Sequence, residues 1–161
     1  MSKIDVEKSE SLTKTQIELR ILANPDYLCV ARSTIRQTAS IWGLDEDTAE
    51  SITLAVVEAL TNVIRHSYGG PCDKPIIVRL NKICCAEKNK SALEIVIRDF
   101  GKQVNTDTIK SRDLDELKPG GVGVHIIHSV MDEVEFSLAD NCGMQLRLVK
   151  YIPLRVVNAR E

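Results

Sequence analysis

"LAVVEALTNVIRHSY", residues 54–68, is the stretch on which the reading of this chain turns. Its first half is almost wholly apolar, yet Glu58 and Asn62 interrupt it four residues apart. On an α-helix that spacing stacks both side chains on one face. Ile52, Leu54, Ala55, Val56, Val57, Ala59, Leu60, Val63 and Ile64 cover nearly every other side. A helix so covered is mostly buried, and a polar stripe within it faces a cleft or a ligand rather than the core. The plain alternative is a stripe that faces water. A carboxylate and a carboxamide cost free energy to bury unless something satisfies them. An Asn side-chain oxygen suits Mg²⁺, which keeps several waters and takes one or two protein ligands beside substrate phosphates. A Glu one turn earlier, with no basic neighbour on its own stripe, suits proton abstraction from a nucleophile.

The helix is expected from the cap Asp45 to about His66, closed by Ser67-Tyr68-Gly69-Gly70-Pro71. Before it, "TQIELRILA" alternates Ile17, Leu19 and Ile21 with Gln16, Glu18 and Arg20, the pattern of a half-buried strand. A first helix follows, with Asn24 as N-cap, Pro25 in its first turn and Gly43 just past its end. "KPIIVRLNKICC" and "SALEIVIRDFG" read as an antiparallel strand pair around "AEKNK". A mostly polar loop, 102–119, leads to "GGVGVHIIHSVMDEVEF", a glycine-opened helix running into a short strand. After the turn "DNCG", "MQLRLVKYI" alternates as a last strand. This order predicts an α+β fold, a two-layer sandwich. A polar start over 1–14, one domain over 15–152 and a tail over 153–161 are expected.

Composition bounds the function. The chain has 161 residues, 43% hydrophobic and 27% charged, enough for one domain with a real core. A net charge of −2 argues against the broad basic surface of a nucleic-acid binder. No apolar run approaches the ~20 residues of a membrane span, and the polar N-terminus lacks a secretory signal. The five cysteines form no C-x-x-C pair and are read as reduced thiols of a cytoplasmic protein.

Two further features follow the helix in order. In "LEIVIRDFG", Leu93, Ile95 and Ile97 form the apolar face, and Asp99 continues their parity, so its carboxylate points toward the helical layer. It reads either as a turn residue bonding its own backbone or as an acceptor for an exocyclic amine such as adenine's. In "PGGVGVHII", Gly120, Gly121 and Gly123 precede and open a helix, aiming free N–H groups and the positive dipole end outward. A flexible hinge is the plain alternative. The pattern is neither a Walker loop nor a Rossmann fingerprint. His125 and His128 have no third ligand in view and read as surface or core residues, and a metal site of Glu58, Asn62 and His66 ranks last.

Glu-x-x-x-Asn on a buried helix, Asp-x-Gly ending a strand and Gly-Gly-x-Gly opening a helix together resemble the Bergerat ATP-binding fold, shared by gyrase, MutL, Hsp-type chaperones and histidine kinases. "EALTNVIRHSY" and "GGVGVHIIHSVMDEVEF" resemble its anti-sigma-factor serine kinase branch, over roughly residues 15–150. The resemblance implies a mixed, mainly antiparallel sheet covered on one face by helices, with ATP and Mg²⁺ as cofactors. It implies Glu58 as general base toward a serine or threonine hydroxyl, Asn62 as Mg²⁺ ligand, Asp99 on the adenine amine and Gly101 holding its turn open. Gly120, Gly121, Val122 and Gly123 would meet the phosphates, with Arg65, His66 and Lys118 as neighbours of the nucleotide and 102–119 as the lid. It also implies a homodimer, with residues 15–43 as interface material, that sequesters a sigma factor and phosphorylates a STAS-domain antagonist.

Two positions depart from the family's pattern. Gln103 replaces the second glycine of Asp-x-Gly-x-Gly, and Gly143 is followed by Met144 and Gln145 rather than by Ser or Thr. These leave room for a non-catalytic nucleotide-dependent partner switch as the second reading. A detached histidine-kinase-type ATPase domain is the third.

Overall fold

Alternation along the first strand sets the layers. Ile17, Leu19, Ile21 and Ala23 turn to one side of β1 (Ile17–Ala23), and Glu18 and Arg20 to the other. The computed structural model of the chain describes residues 16–85, 89–103, 105 and 122–153. The N-terminal segment, most of the 102–119 loop with Lys118, Gly120 and Gly121, and the tail from 154 lie outside the described residues.

β1 pairs with β2 (Cys72–Cys85), β2 with β3 (Lys90–Arg98), β3 with β5 (Met144–Tyr151), and β5 with β4 (Glu133–Leu138). The sheet order is therefore β1-β2-β3-β5-β4. All four pairings are antiparallel, so the parallel pair allowed for in a mixed sheet does not arise among the described residues.

Helices α1 (Leu28–Ile41), α2 (Glu46–Asn62) and α3 (Val122–Val130) form the second layer, with α2 packed against both others. Ile35, Ile52, Val56, Leu60 and Ile127 from the helices meet Ile76, Val78, Leu80, Leu93, Ile95, Ile97 and Leu148 from the sheet, all essentially excluded from water. Among the described residues, the other face of the sheet carries charge pairs in place of helices. Arg79 bonds Glu18 at 2.8 Å, and Arg147 bonds Glu94 at 2.7 Å and Glu133 at 3.2 Å. No helix among the described residues is long and apolar enough to cross a membrane.

The helix ends follow local chemistry. The Asn24 side chain accepts from the Asp26 N–H at 3.0 Å, and Pro25–Tyr27 form a 3₁₀ turn before α1 begins. Asp45 caps α2, accepting from the Thr48 N–H at 2.9 Å and its hydroxyl at 2.7 Å. These bonds hold the Asp45 carboxyl below its ordinary pKa.

α2 ends earlier than the pattern predicts. The α-helix stops at Asn62 rather than His66, and Val63–Ser67 widen into a π-helical turn. The Tyr68 N–H reaches the Val63 carbonyl at 3.0 Å, five residues back. The Gly70 N–H bonds the Ile64 carbonyl at 2.8 Å. Single π turns of this kind are often found at functional sites. Here the wide turn swings Ser67 and Tyr68 toward the end of β3.

Candidate functional site

Glu58 and Asn62 lie half-buried on α2, where α3 packs against it. The contact runs through Gly123. A Cβ added there would stand 2.9 Å from Glu58 Oε2 and 3.4 Å from Asn62 Nδ2. Only a residue without a side chain lets the first turn of α3 come this close. The polar stripe of α2 therefore faces the positive end of a helix, which favours a carboxylate or a phosphate there.

Asp99 forms the other pole. It is 3% exposed and follows β3 on the core-facing parity. The Ser67 hydroxyl donates to Asp99 Oδ1 at 2.5 Å, and the Gly101 N–H donates to the same oxygen at 2.9 Å. Oδ2 carries no hydrogen bond among the described residues and is the free acceptor of the pair.

The surroundings fix this carboxylate closely. The Asp99 N–H donates to the Met144 carbonyl at 3.1 Å. Gly143, at φ +72°, packs on the Asp99 backbone, where a Cβ would lie 2.7 Å from the carbonyl carbon and 2.8 Å from Phe100 Cα. Gly101 packs as tightly on the π turn, where a Cβ would lie 2.5 Å from the Ser67 carbonyl oxygen. Tyr68 closes the ring: its hydroxyl accepts from the Phe100 N–H at 2.8 Å and donates to the Pro75 carbonyl at 2.6 Å. Burial pushes the Tyr68 hydroxyl above its ordinary value, against the stabilising Phe100 N–H.

The structure brings Glu58, Asn62 and Gly123 together at one place, and Asp99 and Gly101 together at another, joined through the π turn. Val122 stands exposed at the start of α3. Arg65 and His66 are exposed on the π turn and take no part in the Asp99 cluster. His125 and His128 are exposed on α3, and no group of three His, Cys, Asp or Glu among the described residues could hold a metal. Of the two departures, Gln103 donates from Nε2 to the Ala139 carbonyl at 2.8 Å, tying the Asp99 loop to the β4–β5 turn. Met144 is buried, and its carbonyl accepts from the Asp99 N–H.

Sequence reasoning missed Ser67 and Tyr68, which read as the closing turn of a helix. On a continuing α-helix Ser67 and Tyr68 would lie about 140° and 240° around from Asn62, off the Glu58–Asn62 stripe, so no local pattern marks them.

The Histidine kinase-like ATPase domain family profile matches residues 21–150. The chain belongs to that family. Within it, the chain stands in a serine-protein-kinase branch. It is 30% identical over 145 residues to the serine-protein kinase RsbW of Bacillus velezensis, covering 84% of this chain and 85% of the relative. It is 31% identical over 148 residues to RsbW of Staphylococcus epidermidis, covering 87% and 89%. Among solved structures, the SiaB–SiaC complex from Pseudomonas aeruginosa contains a chain that matches with a TM-score of 0.59 at 13% identity, covering 86% of this chain and 90% of that one. That likeness speaks to the fold alone.

Proposed function

We propose that the chain is an ATP-dependent serine/threonine-protein kinase that acts as an anti-sigma factor, sequestering a sigma factor and phosphorylating a STAS-domain antagonist. The observation that carries this reading is the convergence of Glu58 and Asn62 on the N-terminus of α3, with one free oxygen of Asp99 held at the far end of the π turn. The two poles suit the two ends of a nucleotide. Asp99 Oδ2 accepts a hydrogen bond from the adenine amine. Gly101 and Gly143 keep side chains out of the space its loop needs.

At the other pole, a serine hydroxyl oxygen attacks the γ-phosphorus in line. A new P–O bond forms, the bond between that phosphorus and the β-γ bridging oxygen breaks, and ADP leaves. The Glu58 carboxylate takes the hydroxyl proton. Such transfer depends on positioning and electrostatics more than on covalent help. The N–H groups of the first turn of α3 face the phosphates, supported by the helix dipole. Asn62 and the cradle opposite Gly123 fit a Mg²⁺ ion, which would neutralise charge on the phosphates when bound. Lys118, Gly120, Gly121 and Val122, with Arg65 and His66, are assigned to the phosphate side on the family resemblance. We place the kinase in the cytoplasm, where its ATP is supplied, and as a homodimer.

The test uses the full chain with γ-labelled ATP, Mg²⁺ and STAS-domain proteins encoded beside it. Label is expected on a serine or threonine of one of them. Glu58→Gln is expected to lower transfer about 10²–10⁴-fold with ATP affinity retained, whereas Asn62→Ala loses both. ATP binding without transfer to any cognate partner would leave the non-catalytic partner switch as the reading, with Gln103 and Met144 as its structural basis. No ATP binding at all would remove the nucleotide site itself.

A further inference from the structure

The face of the sheet that no described helix covers holds a side chain that the nucleotide site does not use. Arg98 ends β3 immediately before Asp99 but points to the opposite face, in register with Gln145 on β5 and Ile77 on β2. The two other arginines at the centre of this face have carboxylate partners: Arg79 has Glu18, and Arg147 has Glu94 and Glu133. Arg98 has none among the described residues. Its guanidinium lies over the Phe100 ring, 4.3 Å from the ring centre, and its Nη1 is shut off from water with no hydrogen-bond acceptor among the described residues. Leaving a guanidinium N–H buried without an acceptor is costly, so a turn of the side chain that brought its donors to an acceptor outside would be favoured.

Arg98 lines a groove of about 260 Å³ with Leu138, Ala139, Asp140, Asn141 and Gln145, at the end of edge strand β4. That volume falls below the ~300–1,000 Å³ of pockets for whole small molecules and suits a side chain. The lining names the kind of side chain. Arg98 offers a fork of donors for a carboxylate. Asn141 and Gln145 add amides, and Leu138, 55% exposed, offers an apolar wall for a methylene stem. Asp140 shares the groove without pairing with Arg98, and its negative charge disfavours a phosphate dianion more than a carboxylate.

We infer that this groove receives a glutamate or aspartate side chain of a protein partner, with its carboxylate on Arg98 and its stem on Leu138. The surface is distinct from the nucleotide cleft and lies across the sheet from it. It stands whether or not the chain transfers phosphate.

The test is an NMR titration of the ¹⁵N-labelled full chain with a short leucine-glutamate peptide, its leucine-glutamine counterpart, and inorganic phosphate. The glutamate peptide is expected to shift the Arg98 Nε–H and the Asn141 and Gln145 side-chain amides saturably. The glutamine peptide should bind about ten-fold or more weakly, the scale of a lost charged hydrogen bond. Arg98→Gln should abolish the shifts, and Asp140→Asn should tighten binding a few-fold. Equal response to the two peptides overturns the proposal, as does an unchanged response in folded Arg98→Gln. Phosphate displacing the peptide at equal concentration also overturns it, leaving a simple anion site. If Arg98→Gln does not fold, Leu138→Ser decides: weaker binding of the glutamate peptide supports the proposal and unchanged binding overturns it.

Discussion

The two oxygens of Asp99 differ in their bonding. Oδ1 is taken by the Ser67 hydroxyl and the Gly101 N–H, which fix the group's orientation, and Oδ2, without a hydrogen bond among the described residues, is the atom assigned to the adenine amine in the proposed function. Replacing the carboxylate and removing its anchor should therefore differ in effect. Asp99→Asn is expected to weaken ATP about 10–100-fold, the loss of a charged hydrogen bond, by calorimetric titration. Ser67→Ala leaves Oδ2 in place and should cost only a few-fold, with a modest fall in Tm. Equal losses in the two variants would mean that Ser67 meets the nucleotide itself. Gly123→Ala tests the other pole. Its new methyl meets Glu58 Oε2 at 2.9 Å, and the carboxylate or the helix must shift. Phosphoryl transfer should fall by at least about ten-fold, because misplacing a catalytic group by an ångström is costly, while thermal stability changes little. Full activity in this variant would show that α3 moves away from α2 before the reaction.

At the scale of elements, the π turn decides how the site is assembled. Apolar spacing carried α2 on to His66, because Val63 and Ile64 fit the same helical face. The widening at Val63–Ser67 was not legible, since it depends on where β3 and Pro75 stand in space. Tyr68 locks that turn to both, and its titration gives a test. Its folded-state pKa lies above the ordinary 10.0, so the neutral form is the one that folding favours. The stability it contributes is complete below pH 10.0 and is lost as pH rises through the higher folded value. Tyr68→Phe removes both bonds of the hydroxyl and should lower stability at pH 7 by about 1–2 kcal/mol. It should also flatten the alkaline limb of a stability–pH curve, read by urea unfolding. An unchanged alkaline limb would assign that titration to other groups.

Across the whole molecule, one cluster joins sheet and helices, and its members were mostly readable. Leu93, Ile95 and Ile97 alternate inward as the strand period requires, and Ile95 is fully buried. Ile95→Ala should lower unfolding free energy by about 2–5 kcal/mol, measured by denaturant titration. A loss under about 1 kcal/mol would mean that the core relaxes to fill the gap. The sequence by itself determined the element order, the inward parity that carries Asp99, and the motif residues Glu58, Asn62 and Gly123. Those follow from periods of 2 and 3.6 residues and from glycine's missing side chain, which are local properties. Only the tertiary structure decided that Ser67 anchors Asp99, that Gln103 ties its loop to Ala139, and that Arg98 lacks, among the described residues, a carboxylate such as Arg79 and Arg147 have. Each of those joins residues more than 30 positions apart or on different strands, and no local pattern specifies which distant side chains will meet.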